Sequence, residues 1–113
     1  MKPYFKLMRS GPQFYFVLRA ANHRVILTSE RYTTEQSALK GIEAVRKNVG
    51  EEHGFSRKLA VNGEPMFNVV ARNGEIVGTS ETYRSVASRE KGIASVLANA
   101  PIAPLRNAVR RPD

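Results

Sequence analysis

The chain contains no cysteine and no tryptophan. Without cysteine there is no disulfide framework, no thiolate metal site and no cysteine nucleophile. Histidine is nearly absent too, with 2 residues, His23 and His53, and no second ligand stands at metal-binding spacing from either. Long apolar runs are missing: nothing approaches the ~20 residues of a membrane span. The N-terminus also lacks the apolar core of a signal peptide, so a reducing cytoplasm is the expected location. No nucleophile elbow, phosphate loop or paired-carboxylate arrangement occurs. The chain therefore reads as non-catalytic, with no cofactor expected. Acidic residues are the last shortage, 10 against 18 lysines and arginines, leaving a formal charge of +8. That excess favours encounters with polyanions but does not define a site.

What is present is a duplication. Residues 13–48 lie over residues 64–99 at a constant offset with no gap. Shared letters in the first half are Phe16, Ala20, Asn22, Thr28, Ser29, Glu30, Tyr32, Ser37, Lys40, Gly41, Ile42, Val45 and Asn48. The most compact stretch is Thr28-Ser29-Glu30-x-Tyr32, repeated as Thr79-Ser80-Glu81-x-Tyr83. A chain of 113 residues fits one domain. Each half, at about 50 residues, is near the lower limit for unaided folding, so the two are expected to share one core. The division is residues 1–50 for repeat one, 54–100 for repeat two, and 101–113 for a basic, loosely held tail. A monomer follows, in which the two repeats stand in for a dimer.

Within each repeat the periodicity changes from strand to helix. Lys2 to Arg9 reads as a first strand, closed by the turn cluster Ser10-Gly11-Pro12. Phe14 to Ala20 is the best strand, with Phe14, Phe16, Leu18 and Ala20 on one face. Asn22-His23 occupies the place of Asn73-Gly74, a hairpin turn that needs positive φ. Val25 to Thr28 is a third strand. A helix follows, with Thr33 and Gln36 as a capping box and Ala38, Ile42, Val45 and Val49 inward. After a linker from Asn48 to Gly54 the pattern restarts, with strands at 55–61, 66–71 and 75–79 and a helix at 85–100. The fold class is therefore α+β: a tandem duplication of a β-β-β-α unit, an antiparallel sheet with two helices packed on one face, and pseudo-two-fold symmetry. Gly41 and Gly92 sit mid-helix, where glycine costs about 1 kcal/mol against alanine, so both are expected to admit a close neighbour.

Three motifs together resemble the YegP-like family of small bacterial proteins. They are Phe16-x-Leu-x-Ala-x-Asn22, Val25-Ile-Leu-Thr-Ser-Glu-x-Tyr32 and Lys40-Gly-Ile-x-x-Val-x-x-Asn48. The resemblance covers nearly all of the chain except the tail, and it implies a duplicated β(3)-α unit whose single-unit relatives pair as dimers. It brings no activity, substrate or catalytic residue. Two departures are His23 where the family has glycine, and Pro65 opposite Phe14.

Two functional readings follow. The leading one is an accessory or interaction protein acting through sheet edges or exposed faces on an unknown protein partner. The alternative is a nucleic-acid-binding module. It would use Tyr15, Arg19 and Arg72 on an open sheet face whose outward residues are Tyr15, Val17 and Arg19, with Asn68, Val70 and Arg72. Lys40, Arg46, Lys47, Arg89 and Lys91 on the helices would join them, with Arg106, Arg110 and Arg111 in the tail. The Ser-Glu-x-Tyr element reads as a mechanical junction, its serine and glutamate serving helix amides and its tyrosine filling the space between helix and sheet.

Overall fold

Three strands and a helix, three strands and a helix, and one last short strand succeed each other along the chain. They are β1 (Tyr4–Ser10), β2 (Gln13–Arg19), β3 (Val25–Ser29), α1 (Glu35–Asn48), β4 (Phe55–Leu59), β5 (Pro65–Val70), β6 (Ile76–Thr79), α2 (Val86–Asn99) and β7 (Leu105–Asn107). The structure, a computed structural model, describes residues 2–48 and 54–109. Val49, most of the linker and His53 lie outside the described residues.

All seven strands form one sheet in the order β4-β5-β6-β3-β2-β1-β7. The halves join edge to edge where β3 meets β6, antiparallel, with Thr28 opposite Thr79 and Ser29 opposite Gly78. Phe16, Leu18, Leu27, Phe67 and Val69 face the helices and are fully buried. They form a single core with Ala38, Ile42 and Val45 of α1 and Ile93 and Val96 of α2. Each helix reaches across the join: α1 packs on β2 and β6, and α2 on β5 and β3.

The serines of the repeated element work inside the sheet. Ser29 Oγ accepts from the Phe16 amide at 2.8 Å and donates to the Glu30 carbonyl at 2.7 Å. Ser80 does the same for Phe67 and Glu81, at 2.9 and 2.7 Å. A hydroxyl thus completes the ladder where the backbone turns away, and the Phe16 and Phe67 amides each gain a partner. The expectation that these serines serve helix amides is corrected: helix capping falls to Thr34 and Ser85, which accept from the Ser37 and Ser88 amides at 3.0 and 3.1 Å. The expected capping box of Thr33 and Gln36 is thereby corrected: the cap is Thr34, and its partner three residues on is Ser37. His23 holds φ at 69° and Gly74 at 86°, so histidine does occupy the left-handed turn position.

The described part of the tail, residues 101–109, departs from expectation. β7 pairs with β1 in parallel, Lys6 opposite Arg106. The Pro104 carbonyl accepts from the Phe5 amide at 2.8 Å, and Ala103 is buried in the core. An uncovered β1 would present a row of unpaired backbone groups, and this segment satisfies them. At the opposite edge β4 carries Arg57 and Lys58, the kind of charge that discourages strand addition.

Beside the join, the constant offset makes Leu27 and Gly78 equivalent positions. A Cβ on Gly78 would stand 2.9 Å from Leu27 Cγ. One leucine fills this space and its counterpart has none.

Twin grooves as the candidate functional site

Each repeated tyrosine lies on the innermost phenylalanine of its half. Tyr32 stacks on Phe16 with ring centroids 6.4 Å apart, and Tyr83 on Phe67 at 6.3 Å. Phe5 and Phe55 buttress those phenylalanines edge-on at 5.9 and 5.7 Å. Tyr32 and Phe14 exchange both backbone hydrogen bonds, each 2.8 Å. Pro65 has no amide to give, so Tyr83 keeps only its own bond, 2.8 Å to the Pro65 carbonyl. The phenol groups end against Gly41 and Gly92, where a Cβ would stand 2.9 Å from Tyr32 Cζ and 2.6 Å from Tyr83 Cζ. The close neighbours expected of the two helix glycines are the repeated tyrosines.

A groove opens over each of these tyrosines. The first, about 880 Å³, has Glu30, Tyr32, Ser37 and Lys40 on one side and Asn73 and Glu75 of the β5–β6 hairpin on the other. The second, about 640 Å³, sets Glu81, Tyr83, Ser88 and Lys91 against Asn22 and Arg24 of the β2–β3 hairpin. Every groove is therefore closed by the hairpin of the opposite half. Among the shared letters, Phe16, Thr28, Ser29, Ile42 and Val45 are explained by the sheet and the core. Asn22, Glu30, Tyr32, Ser37, Lys40 and Gly41 instead line the grooves with their counterparts. The junction reading of Ser-Glu-x-Tyr is thus divided: the serine is structural, whereas the exposed glutamate and half-buried tyrosine belong to a groove.

The grooves differ in charge. Glu30 and Glu75 balance Arg31 and Lys40 in the first, while Arg24, Arg84 and Lys91 outnumber Glu81 in the second. Both phenols are held above the ordinary tyrosine value, chiefly by burial. Glu30 and Glu75 add to the rise at Tyr32; at Tyr83 Glu81 adds to it and Arg24 opposes it. A raised phenol favours the folded state while protonated, so its contribution is complete below the unfolded pKa near 10 and is lost as pH climbs through the folded value. Stability should accordingly fall above about pH 10, and the double variant Tyr32→Phe/Tyr83→Phe should flatten that decline in chemical unfolding followed by circular dichroism. An unchanged slope would contradict it.

The residues anticipated for nucleic acid are scattered. Tyr15 faces the open side of the sheet with Arg31 stacked over it at 4.2 Å, and Tyr4, not anticipated, carries Arg106 at 4.0 Å. Arg19 shares that face but donates to the His23 carbonyl at 2.7 Å. Arg72 does not share it: β5 ends at Val70, and Arg72 lines a depression of about 790 Å³ beside α1 with Lys40 and Lys47. The expected outward alternation is corrected on two counts: Arg72 lies in the hairpin beyond the end of β5, out of reach of the strand's alternation, and Val17 and Asn68 are buried. Arg46 is tied to Glu43 and, at 2.8 Å, to the Ala103 carbonyl. Arg89 pairs with Glu90, whose carboxyl is held below its usual range mainly by Arg57. Lys91 lies in the second groove; Arg110 and Arg111 lie outside the described residues. Among the described residues no three His, Asp or Glu side chains stand close enough to share a metal ion, and no helix is long and apolar enough to cross a membrane. The grooves were not legible in the sequence as sites, although the exposed letters common to both repeats were their signal.

A family profile described as "Domain of unknown function (DUF1508)" matches the chain twice, over residues 10–53 and 60–106. A UPF0339 protein of Bordetella pertussis is 47% identical over 107 residues, covering 95% of this chain and 96% of the relative. YegP of Escherichia coli K12 is 49% identical over 100 residues, 88% and 91% of the two chains. The solution structure of YegP superposes with a TM-score of 0.88 at 45% identity, covering 96% of this chain and 94% of that one. A UPF0339 protein of Shewanella oneidensis superposes equally well, at 0.88 with 42% identity over 95% and 92%.

Proposed function

Since the chain belongs to the DUF1508 (UPF0339) family, described only as a domain of unknown function, we propose a role from its own geometry: a non-catalytic binding protein that receives its partner in two grooves. The carrying observation is that exposed letters repeated in both halves converge on those grooves. Core positions recur because both halves must pack. Solvent-facing positions such as Glu30 and Lys40 have no such reason, which favours binding; Asn22 and Asn73 in addition brace their own hairpins, accepting from the Arg24 and Glu75 amides at 3.0 Å. In this reading the chain is a duplicated β-β-β-α unit with a dyad through Thr28 and Thr79. It acts as a cytoplasmic monomer, each half supplying the hairpin that closes the other's groove.

The nucleic-acid alternative rests on the open face, with its basic helix and tail residues. There the Tyr4 and Tyr15 rings already carry guanidinium groups, so a base would have to displace arginine to stack. That geometry favours the grooves. Titrating native cell extract, and separately single-stranded RNA, into ¹⁵N-labelled protein distinguishes the two. The groove reading expects amide shifts from extract to concentrate around Asn22, Tyr83 and Lys91 or Asn73, Tyr32 and Lys40. Shifts confined to Tyr15, Arg19 and Arg106, with RNA binding weakened about 1–3 kcal/mol by Tyr15→Ala, would overturn it in favour of nucleic acid.

A further inference from the structure

We infer that the groove over Tyr83 is a site for a small organic phosphate, its phosphate held by Arg24, Arg84 and Lys91 and its organic part resting on Ile26 and the tyrosine ring. This rests on the groove reading above and adds the ligand's chemistry. The twin groove supplies an internal control. Both grooves have the same asparagine, glutamate, tyrosine, serine and lysine, yet the residue facing the tyrosine from the opposite hairpin is Arg24 in one and Glu75 in the other.

Three basic side chains meet a single carboxylate here, and among the described residues none of the three forms an ion pair. Elsewhere on this surface the arginines are committed: Arg46 to Glu43, Arg57 and Arg89 to Glu90, and Arg31 and Arg106 to tyrosine rings. A phosphomonoester brings close to two negative charges at neutral pH, matching the net excess, and guanidinium forks grip its oxygens bidentately. Arg24 lies close enough to act electrostatically on the Tyr83 phenol, so its charge reaches the groove floor. Volume fits as well, since about 640 Å³ falls within the range of small-ligand sites. Ile26, packed on the core at the helix side of the sheet, lies beside the cations and makes an organic phosphate a better match than the bare ion.

The probes are AMP, adenosine and inorganic phosphate, followed by amide shifts. AMP should move Asn22, Arg24, Tyr83, Arg84 and Lys91 saturably, inorganic phosphate should compete, and adenosine should bind at least about tenfold more weakly. Arg24→Glu should weaken AMP about tenfold or more, and Lys91→Glu, at an exposed helix position, should weaken it too. Glu75→Arg should bring an AMP response to Tyr32 and Lys40. The inference is overturned by AMP shifts indifferent to Arg24→Glu and Lys91→Glu, by equal response of both wild-type grooves, or by no saturable response to AMP and phosphate. Grooves that respond to cell extract but not to these probes overturn the phosphate inference and leave the binding role standing; grooves silent to both overturn the two together.

Discussion

Gly41→Leu should lower the melting temperature, against the direction that helix propensity alone dictates. Leucine is favoured over glycine in a helix by close to 1 kcal/mol. At this position, however, a Cβ would meet the Tyr32 phenol and stand 3.0 Å from Phe16 Cε2. Tyr32 has little room to retreat, because it lies on Phe16 and its backbone is paired with Phe14 in both directions. Overpacking of this kind costs about 1–3 kcal/mol before the full leucine side chain is placed, so the net effect is destabilising. Gly92→Leu should behave likewise against Tyr83. Gly41→Ala should cost less, and combining it with Tyr32→Phe should recover part of the loss, since the phenol oxygen is the nearest atom. Thermal unfolding of the four variants checks this. A rise in melting temperature for Gly41→Leu would mean the glycine is merely tolerated.

The second large effect is a rescue. Gly78→Leu alone should destabilise by overpacking against Leu27, at about 1–3 kcal/mol or more. Leu27→Gly alone removes a fully buried side chain and should cost about 2–5 kcal/mol as a cavity. Together they move the leucine to the equivalent position of the other repeat, and the double variant should be more stable than either single one. Residues sharing one space are coupled, and the cycle measures that coupling. Additive losses in denaturant unfolding would refute the shared-space account.

The fold was legible where periodicity carried it. β2 and α1 stand close to where alternation and the Ala38-Ile42-Val45 spacing put them, and the offset between repeats corresponds to the two segments that the family profile matches. Legibility failed where a segment depends on a partner far along the chain. β7 is three residues long, too short for any alternation to show, and its reason for being a strand is the free edge of β1. Ser29 was misread because a hydroxyl near a helix start ordinarily caps it, whereas here the amide it serves belongs to Phe16 in the neighbouring strand. The grooves failed for a related reason. Asn22 and Tyr32 are close in sequence but line different grooves, each meeting the other half's copy of its neighbour.

The leucine facing a glycine beside the join also bears on the history of the chain. Under the proposed dyad, a dimer of two first halves would set leucine against leucine in a space that holds one. A dimer of two second halves would set glycine against glycine and leave a void. Neither half is suited to a symmetric partnership with a copy of itself. In one chain the pairing of the two copies is fixed one to one, which lets one side take the volume the other gives up. The step works as a ratchet: splitting the gene after it would yield two polypeptides, each suited to the other and neither to itself.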